Sequence, residues 1–360
     1  MQKIDNLRIK TIRPVIIPAL LIKELPLTDT IASKIHHARI TTKRIIHGED
    51  DRLLVVVGPC SINDPRAAME YAFRLKDCIS RYSIELFIIM RAYFEKPRTI
   101  IGWKGLINDP YLDSSFQINQ GLRIARHLLL DINQLGVPTG SEFLDAIIPQ
   151  YIADLITWSA IGARTTESQI HRELASGLSM PIGFKNGTTG NIQIAIDAVL
   201  AAHHPHHFLS ISERGIVSII STMGNQDSHV ILRGSMRGTN YDALTIRTTI
   251  KKLQSVNLPP LLMIDCSHGN SRKDHRKQMQ VIDSVCDQIH QGSFSIFGTM
   301  IESNLVEGKQ TLKFGKLLKY GQSVTDACIS WDTTETALSK LAKAVTVRRR
   351  QNEKRKGTKT

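Results

Sequence analysis

The sequence predicts an α/β fold: a (β/α)8 TIM barrel with an N-terminal extension and a β-hairpin inserted before strand six. Three observations predict it. Residues 154–188 hold two apolar runs, LITWSAIGA and MPIGF, each closed by a cation, Arg164 and Lys185, with a helical pattern between them. Continuous apolar strands joined by a crossover helix make a parallel sheet buried on both faces. Runs of this kind alternate with helical patterns throughout residues 51–347, which suits a closed barrel of the usual size, about 250 residues, enlarged by insertions. The turn after the first run, GPCSIND (58–64), is not the GxGxxG that marks the rival open, doubly wound sheet.

Taken in order, residues 1–50 form an irregular Pro-containing segment and then a helical stretch over 28–46. This is an extension outside the main fold, of the kind that packs on a neighbouring subunit. The barrel begins with LLVVVGPC (53–60) and a helix opened by Asp64 and Pro65, with Ala68, Ala72, Leu75 and Ile79 on one face. Strand two is LFIIMR (86–91), followed by the long polar loop AYFEKPRTIIGWKGLINDP (92–110). Loops that long inside a domain are usually functional. The next helix sets Ile118, Leu122, Ala125, Leu129 and Ile132 on one face and stops at Gly136. Strand three is VPTGSEF (137–143), and the two runs already described are strands four and five. The helix between them carries Ile170, Leu174 and Leu178, with Thr165 or Thr166 as its cap. After the helical NIQIAIDAVLAA (191–202), residues 207–220 form two alternating runs around a tight turn, the inserted hairpin. HVILRG (229–234), LLMIDCSH (261–268) and FSIFGTMIES (294–303) complete the eight strands. The last helix starts near Asp332, with Glu335 as its capping-box partner, and 348–360 is a basic, disordered tail.

The chain has 360 residues, 42% apolar and 22% charged, the balance of a soluble globular protein. No apolar run approaches the roughly 20 residues of a membrane helix, so the chain reads as cytoplasmic. Its five cysteines are scattered without a CxxC, which points to neither a disulfide framework nor a zinc knuckle. Of the net charge of +13, residues 348–360 supply +6 through seven Lys/Arg and one Glu. The remaining +7 is modest, so no nucleic-acid partner is expected. The histidines of AAHHPHHF, 203, 204, 206 and 207, fall where a helix gives way to the hairpin and read as a solvated loop.

The strand ends carry the chemistry. In order they present Cys60, Arg91, Glu142, Arg164, Lys185, Arg233, His268 and Glu302, and barrel geometry gathers all of them on one rim. Arg91, Arg164, Lys185 and Arg233, joined by Lys96 and Arg98 of the long loop, crowd six cations into one mouth. Such crowding calls for a ligand carrying phosphate and carboxylate. Cys60, His268 and Glu302, from strands that adjoin when the barrel closes, form a thiol, imidazole and carboxylate set suited to Zn²⁺, Fe²⁺ or Mn²⁺. Asp326 of VTDACISW is the natural fourth ligand. The bland alternative makes Cys60 a small buried thiol and His268 a helix cap.

At GPCSIND (58–64), MRAYFEKPRT (90–99), GWKGLINDP (102–110), IGARTTESQIHRE (161–173), GFKNGT (183–188), ILRG (231–234), DCSHGNS (265–271) and TDACISW (325–331), the chain closely resembles a known family. It is similar to the microbial, feedback-regulated type I 3-deoxy-D-arabino-heptulosonate 7-phosphate synthases of the shikimate pathway. The resemblance implies condensation of phosphoenolpyruvate with erythrose 4-phosphate, with release of phosphate. It implies one divalent metal ion, Mn²⁺, Fe²⁺, Zn²⁺ or Co²⁺, on Cys60, His268, Glu302 and Asp326. Phosphoenolpyruvate would lie on Arg91, Lys96, Arg164, Lys185 and Arg233, aided by backbone near Glu142 and Ala163. Arg98 and Thr99 would take the aldose phosphate, and Lys96 or His268 would move the proton. The loop GSMRGTNY (234–241) departs from the expected GGKxPNY by one extra residue. The resemblance also implies a homodimer or homotetramer inhibited by an aromatic amino acid. That effector would bind near Asp5, Pro149, Gln150, Leu178, Ser179, Phe208, Ser210 and Ile220. A related synthase takes arabinose 5-phosphate instead; the EKPRT motif and the hairpin speak against it.

Overall fold

Eight short strands pair side by side, all parallel, until the last meets the first. The computed structural model describes residues 4–98, 100–312 and 317–357, and the side chains as far as 354. The barrel strands are β1 (Leu53–Gly58), β2 (Leu86–Arg91), β3 (Thr139–Glu142), β4 (Trp158–Ile161), β5 (Ile182–Lys185), β8 (His229–Leu232), β9 (Leu262–Asp265) and β10 (Ile296–Glu302). Between β5 and β8 lies an antiparallel hairpin, β6 (His207–Ile211) and β7 (Val217–Ser221), with Phe208 opposite Ile220. The ring closes through β1, which pairs with both β2 and β10. Burial explains the apolar runs: β1 is inaccessible along its whole length, and each buried Leu, Ile or Val contributes about 1.5–3 kcal/mol. Strand β3, TGSE, is equally buried yet polar. It is tolerated because Thr139 Oγ1 donates to Leu155 O at 2.7 Å and Ser141 Oγ to Ala92 O at 3.0 Å.

The outer helices are α3 (Pro65–Arg81), α4 (Ile118–Gln134), α5 (Pro149–Ile152), α6 (Gln169–Gly177), α7 (Gln193–His203), α8 (Ala243–Ser255), α9 (Gln278–His290) and α10 (Trp331–Gly357). Asp64 caps α3 as expected, its carboxylate accepting from Arg66 N at 2.9 Å. Two caps differ from expectation. Helix α6 starts after Ser168 rather than at a threonine, because Thr166 Oγ1 donates to Lys185 O at 2.8 Å and ties strand to loop instead. Helix α10 is capped by the Ser330 hydroxyl, which accepts from Thr333 N at 3.2 Å. Glu335, expected in a capping box, pairs with Arg81 at 3.7 Å.

Four further features were not foreseen. A short helix α1 (Pro18–Glu24) precedes α2 (Asp29–Ile46). Helix α2 joins the barrel rather than standing outside it, since Ile45 and Ile46 share a buried cluster with Val56, Trp158 and Met263. Beyond β10, Val306–Lys309 (β11) and Gln322–Ser323 (β12) make a small two-stranded sheet. Finally, the basic stretch expected as a disordered tail is helical to Gly357. Arg348 is buried, its guanidinium 4.6 Å from the Phe294 ring centroid, and Arg349 pairs with Asp51.

Candidate active site and metal centre

The closed barrel brings every described strand-end residue to one rim. Arg91, Glu142, Lys185 and Glu302 are the last residues of β2, β3, β5 and β10, while Cys60, Arg164, Arg233 and His268 lie in the loops just beyond. Cys60 Sγ, a Glu302 oxygen and an Asp326 oxygen lie within 4.8 Å of one another. His268 turns Nε2 toward this group, 3.7 Å from Glu302 Oε1, while Nδ1 faces Asp265 Oδ2 at 2.8 Å and Ser267 Oγ at 2.7 Å. A carboxylate behind an imidazole fixes the tautomer and raises the ring's power as a ligand. His268 also holds φ at 54°, a left-handed backbone that a non-glycine residue adopts at a cost.

The donor set fits a divalent cation of the first transition row or zinc: a soft sulfur, an imidazole and two carboxylates. The Lys96 ammonium already lies among these donors, 2.7 Å from Cys60 Sγ and 3.3 Å from Asp326 Oδ2. Lys96 holds the Asp326 carboxyl well below the usual carboxylate range. Burial and then the Glu302 carboxylate push the Cys60 thiol up to about 11, against the pull of Lys96. A divalent cation held by Cys60 would reverse that balance, because a coordinating thiol is deprotonated outright.

The cavity beside these donors, about 190 Å³, is lined by Arg91, Lys96, Arg98, Arg164, Lys185, Arg233 and Lys273, and by Glu142 and Ala163. Arg91 is buried, 3.3 Å from Glu302, and lies over the face of Tyr93 at 3.8 Å. Lys185 Nζ sits 3.6 Å from Glu142 and 3.5 Å from Asp265. Burial alone would raise the Glu142 pKa, but Lys185, Lys96 and Arg91 outweigh it and hold the carboxylate ionised. Burial likewise opposes charge on Asp265, and His268 and Lys185 overcome it. Arg98 stays exposed, its Nε donating to Trp103 O at 2.8 Å; Thr99 lies outside the described residues.

Sequence reasoning missed Asp265, Tyr93 and Glu95. Asp265 had a signal, a lone carboxylate ending the apolar run LLMI. Tyr93 had none, because its ring matters only through the cations stacked on it. Glu95 is buried and accepts from Leu144 N at 3.3 Å and Asp145 N at 3.1 Å. Its burial, with Asp145 nearby, lifts its carboxyl to about 8.

The remote residues fall on the hairpin, the start of α5, the stretch after α6 and the N-terminal arm. Phe208, Ser210 and Ile220 line the hairpin, and Pro149 and Gln150 start α5. Leu178 and Ser179 follow α6, beside the hairpin base, where Ser176 Oγ and Thr222 Oγ1 lie 2.6 Å apart. The hairpin turn touches this chain's own arm, Ala19 N donating to Glu213 O at 2.9 Å. Asp5 stays on the exposed part of that arm, bonded by Asn6.

A family model described as the DAHP synthetase I family matches residues 32–339. The Phe-sensitive phospho-2-dehydro-3-deoxyheptonate aldolase of Escherichia coli K12 is 56% identical over 345 residues, 96% of this chain and 98% of that protein. A Trp-sensitive counterpart from Enterobacter agglomerans is 54% identical over 97% of this chain and 100% of its own. The structure of phospho-2-dehydro-3-deoxyheptonate aldolase from Francisella tularensis superposes with a TM-score of 0.93 at 54% identity, covering 94% of this chain and 99% of that one.

Proposed function

The chain belongs to the DAHP synthetase I family, and from that premise we infer how its residues divide the work. It is a 3-deoxy-7-phosphoheptulonate synthase, subject to feedback by an aromatic amino acid. Phosphoenolpyruvate, erythrose 4-phosphate and water give 3-deoxy-D-arabino-heptulosonate 7-phosphate and orthophosphate. One carbon–carbon bond forms, the oxygen of water ends on C2, and the bond from C2 to the phosphate oxygen breaks.

Arg91, Lys96, Arg164, Lys185 and Arg233 hold the phosphate and carboxylate of phosphoenolpyruvate, with backbone at Glu142 and Ala163 completing the cradle. Arg98 and Thr99 take the phosphate of the aldose. Cys60, His268, Glu302 and Asp326 would hold Mn²⁺, Fe²⁺, Zn²⁺ or Co²⁺, which when bound supplies Lewis acidity at the aldehyde. Lys96 is better suited than His268 to deliver the proton to the new alkoxide. Its ammonium carries transferable protons beside the metal donors, whereas His268 Nδ1 is engaged by Asp265. The aromatic effector binds between the hairpin and α5–α6. The exposed apolar residues of the arm, Ile4, Ile9 and Ile12, pack on a neighbour in a dimer or tetramer.

One observation supports this reading above the rest: three metal-type donors within 4.8 Å of one another share a rim with a cavity lined by Lys and Arg. The test is phosphate release from phosphoenolpyruvate with erythrose 4-phosphate or arabinose 5-phosphate, with and without chelator. Release with the four-carbon aldose, lost on chelation and restored by a divalent ion, is expected. Equal turnover of both aldoses, or indifference to chelation, would overturn it.

A further inference from the structure

Beside the catalytic cavity lies a second basin of about 570 Å³, lined among others by Arg164, Arg233, Arg237, Arg272 and Lys273. Arg164 and Arg233 also line the catalytic cavity, so the two spaces are contiguous. No Asp or Glu is among its described lining residues. Among the described residues, none of Arg237, Arg272 and Lys273 forms an ion pair with a carboxylate. Five cations around one space repel each other, and they hold together in the presence of an anion that several of them share.

The frame under these cations is stiff. The loops after β8 and β9 press backbone to backbone, where a Cβ on Gly269 would collide with the Ser235 amide. Asn270 Nδ2 donates to Leu232 O at 3.1 Å and Asp265 O at 2.9 Å, and its Oδ1 accepts from Asn240 N at 2.9 Å. Asn240 Oδ1 in turn accepts from Gly234 N at 2.7 Å. On the β8 side, the Ser235 hydroxyl accepts from Arg237 N at 3.1 Å and Gly238 N at 3.2 Å. On the β9 side, Arg272 and Lys273 are consecutive left-handed residues, φ 52° and 60°. Non-glycine residues persist there when the surroundings over-determine them, a pattern that clusters at ligand clamps.

We propose that this basin is an orthophosphate subsite, the position through which the phosphate set free in the catalytic cavity departs. The proposal rests on the reading above that the reaction releases phosphate. Guanidinium forks match the oxygens of a phosphate dianion. A phosphate expelled beside Arg164 and Arg233 reaches Arg237 and Arg272 by exchanging guanidinium partners, without crossing an apolar wall. Phosphoenolpyruvate keeps Arg91, Lys96 and Lys185 to itself.

The test is calorimetric titration with inorganic phosphate of the full chain, saturated with phosphoenolpyruvate and without aldose. One phosphate site is expected in the parent. In an Arg237→Gln, Arg272→Gln double variant its affinity falls at least about tenfold, while the affinity for phosphoenolpyruvate stays within about twofold. Arg237→Lys with Arg272→Lys, which keeps the charge on the same frame, restores much of the binding. Absence of phosphate binding once phosphoenolpyruvate saturates, or parental affinity in the glutamine variant, overturns the proposal. Tighter binding of glycerol 3-phosphate than of inorganic phosphate also overturns it, since the basin would then serve a phosphomonoester. Should phosphoenolpyruvate itself not bind, the reaction assigned above fails, and phosphate alone still tests the subsite: two sites in the parent and one in the glutamine variant support it, equal numbers sink it.

Discussion

At the scale of single residues, Cys60 and Lys96 show how one site serves two charge states. With the ammonium 2.7 Å from the sulfur, the thiol still lies at about 11, because burial and Glu302 outweigh Lys96. A divalent cation held there would tip the balance to the thiolate, and the softness of that sulfur would then favour one metal over another. Cys60→Ser replaces the soft donor by a hard one of similar size. Its zinc affinity, measured by competition with a chromophoric chelator, should fall by more than the roughly 10- to 100-fold that loss of an outer partner costs. Undiminished affinity would remove Cys60 from the ligand set. Cys60, Glu302 and His268 were legible because each stands at or just past the end of an apolar run. Asp265 also ends an apolar run, but it lies inside the barrel wall, and only the fold reveals that His268 and Lys185 face it.

At the scale of elements, the barrel strands other than the polar β3 announced themselves through continuous apolar runs, and the hairpin through its alternation. The sheet β11–β12 did not, because VEGK and QS are too short and polar to show any period. Helix α10 was legible as far as Val345, where apolar spacing ends, but its basic continuation carries no sequence sign of order. Order there comes from contacts made far away in the chain. Arg348 bonds the Asp51 carbonyl and stacks on Phe294, and Arg349 bonds the Asp51 carboxylate through two nitrogens. Asp51 lies two residues before the first barrel strand, so these contacts clamp the last helix to the entry of the barrel. Truncation after Val347 should therefore destabilise the fold by about 2 kcal/mol, the scale of a few charge-assisted bonds. The denaturant midpoint would drop while metal affinity at the opposite rim stays unchanged. An unaltered midpoint would show that the clamp contributes nothing to stability.

At the scale of the whole molecule, the barrel separates chemistry from stability along its axis. The carboxyl rim crowds charges, whereas the amino end is closed by a buried cluster containing Ile45, Ile46, Trp158, Met263 and Phe297. His229, the first residue of β8, is buried at that end. Its Nε2 accepts from Trp158 Nε1 at 3.2 Å, and its Nδ1 donates to Asp227 O at 3.2 Å. Only the neutral tautomer satisfies both bonds; a proton on Nε2 would set two donors against each other. Burial accordingly lowers its pKa from 6.5 to about 4. Between those values the unfolded chain binds more protons than the fold, so stability drops as pH falls through the window, by roughly 3 kcal/mol in all. His229→Gln keeps an acceptor for Trp158 and removes the titration. Glu95, lifted to about 8 by burial, contributes the opposite slope in both proteins, so the test is the difference: from pH 7 to pH 4 the urea midpoint of the parent should fall relative to that of the variant. Below about pH 4 both should fall, as Asp265 and Glu142, ionised in the fold against the cost of burial, take up protons and lose their cationic partners. Identical slopes above pH 4 would mean that His229 does not link the closed end of the barrel to acidity.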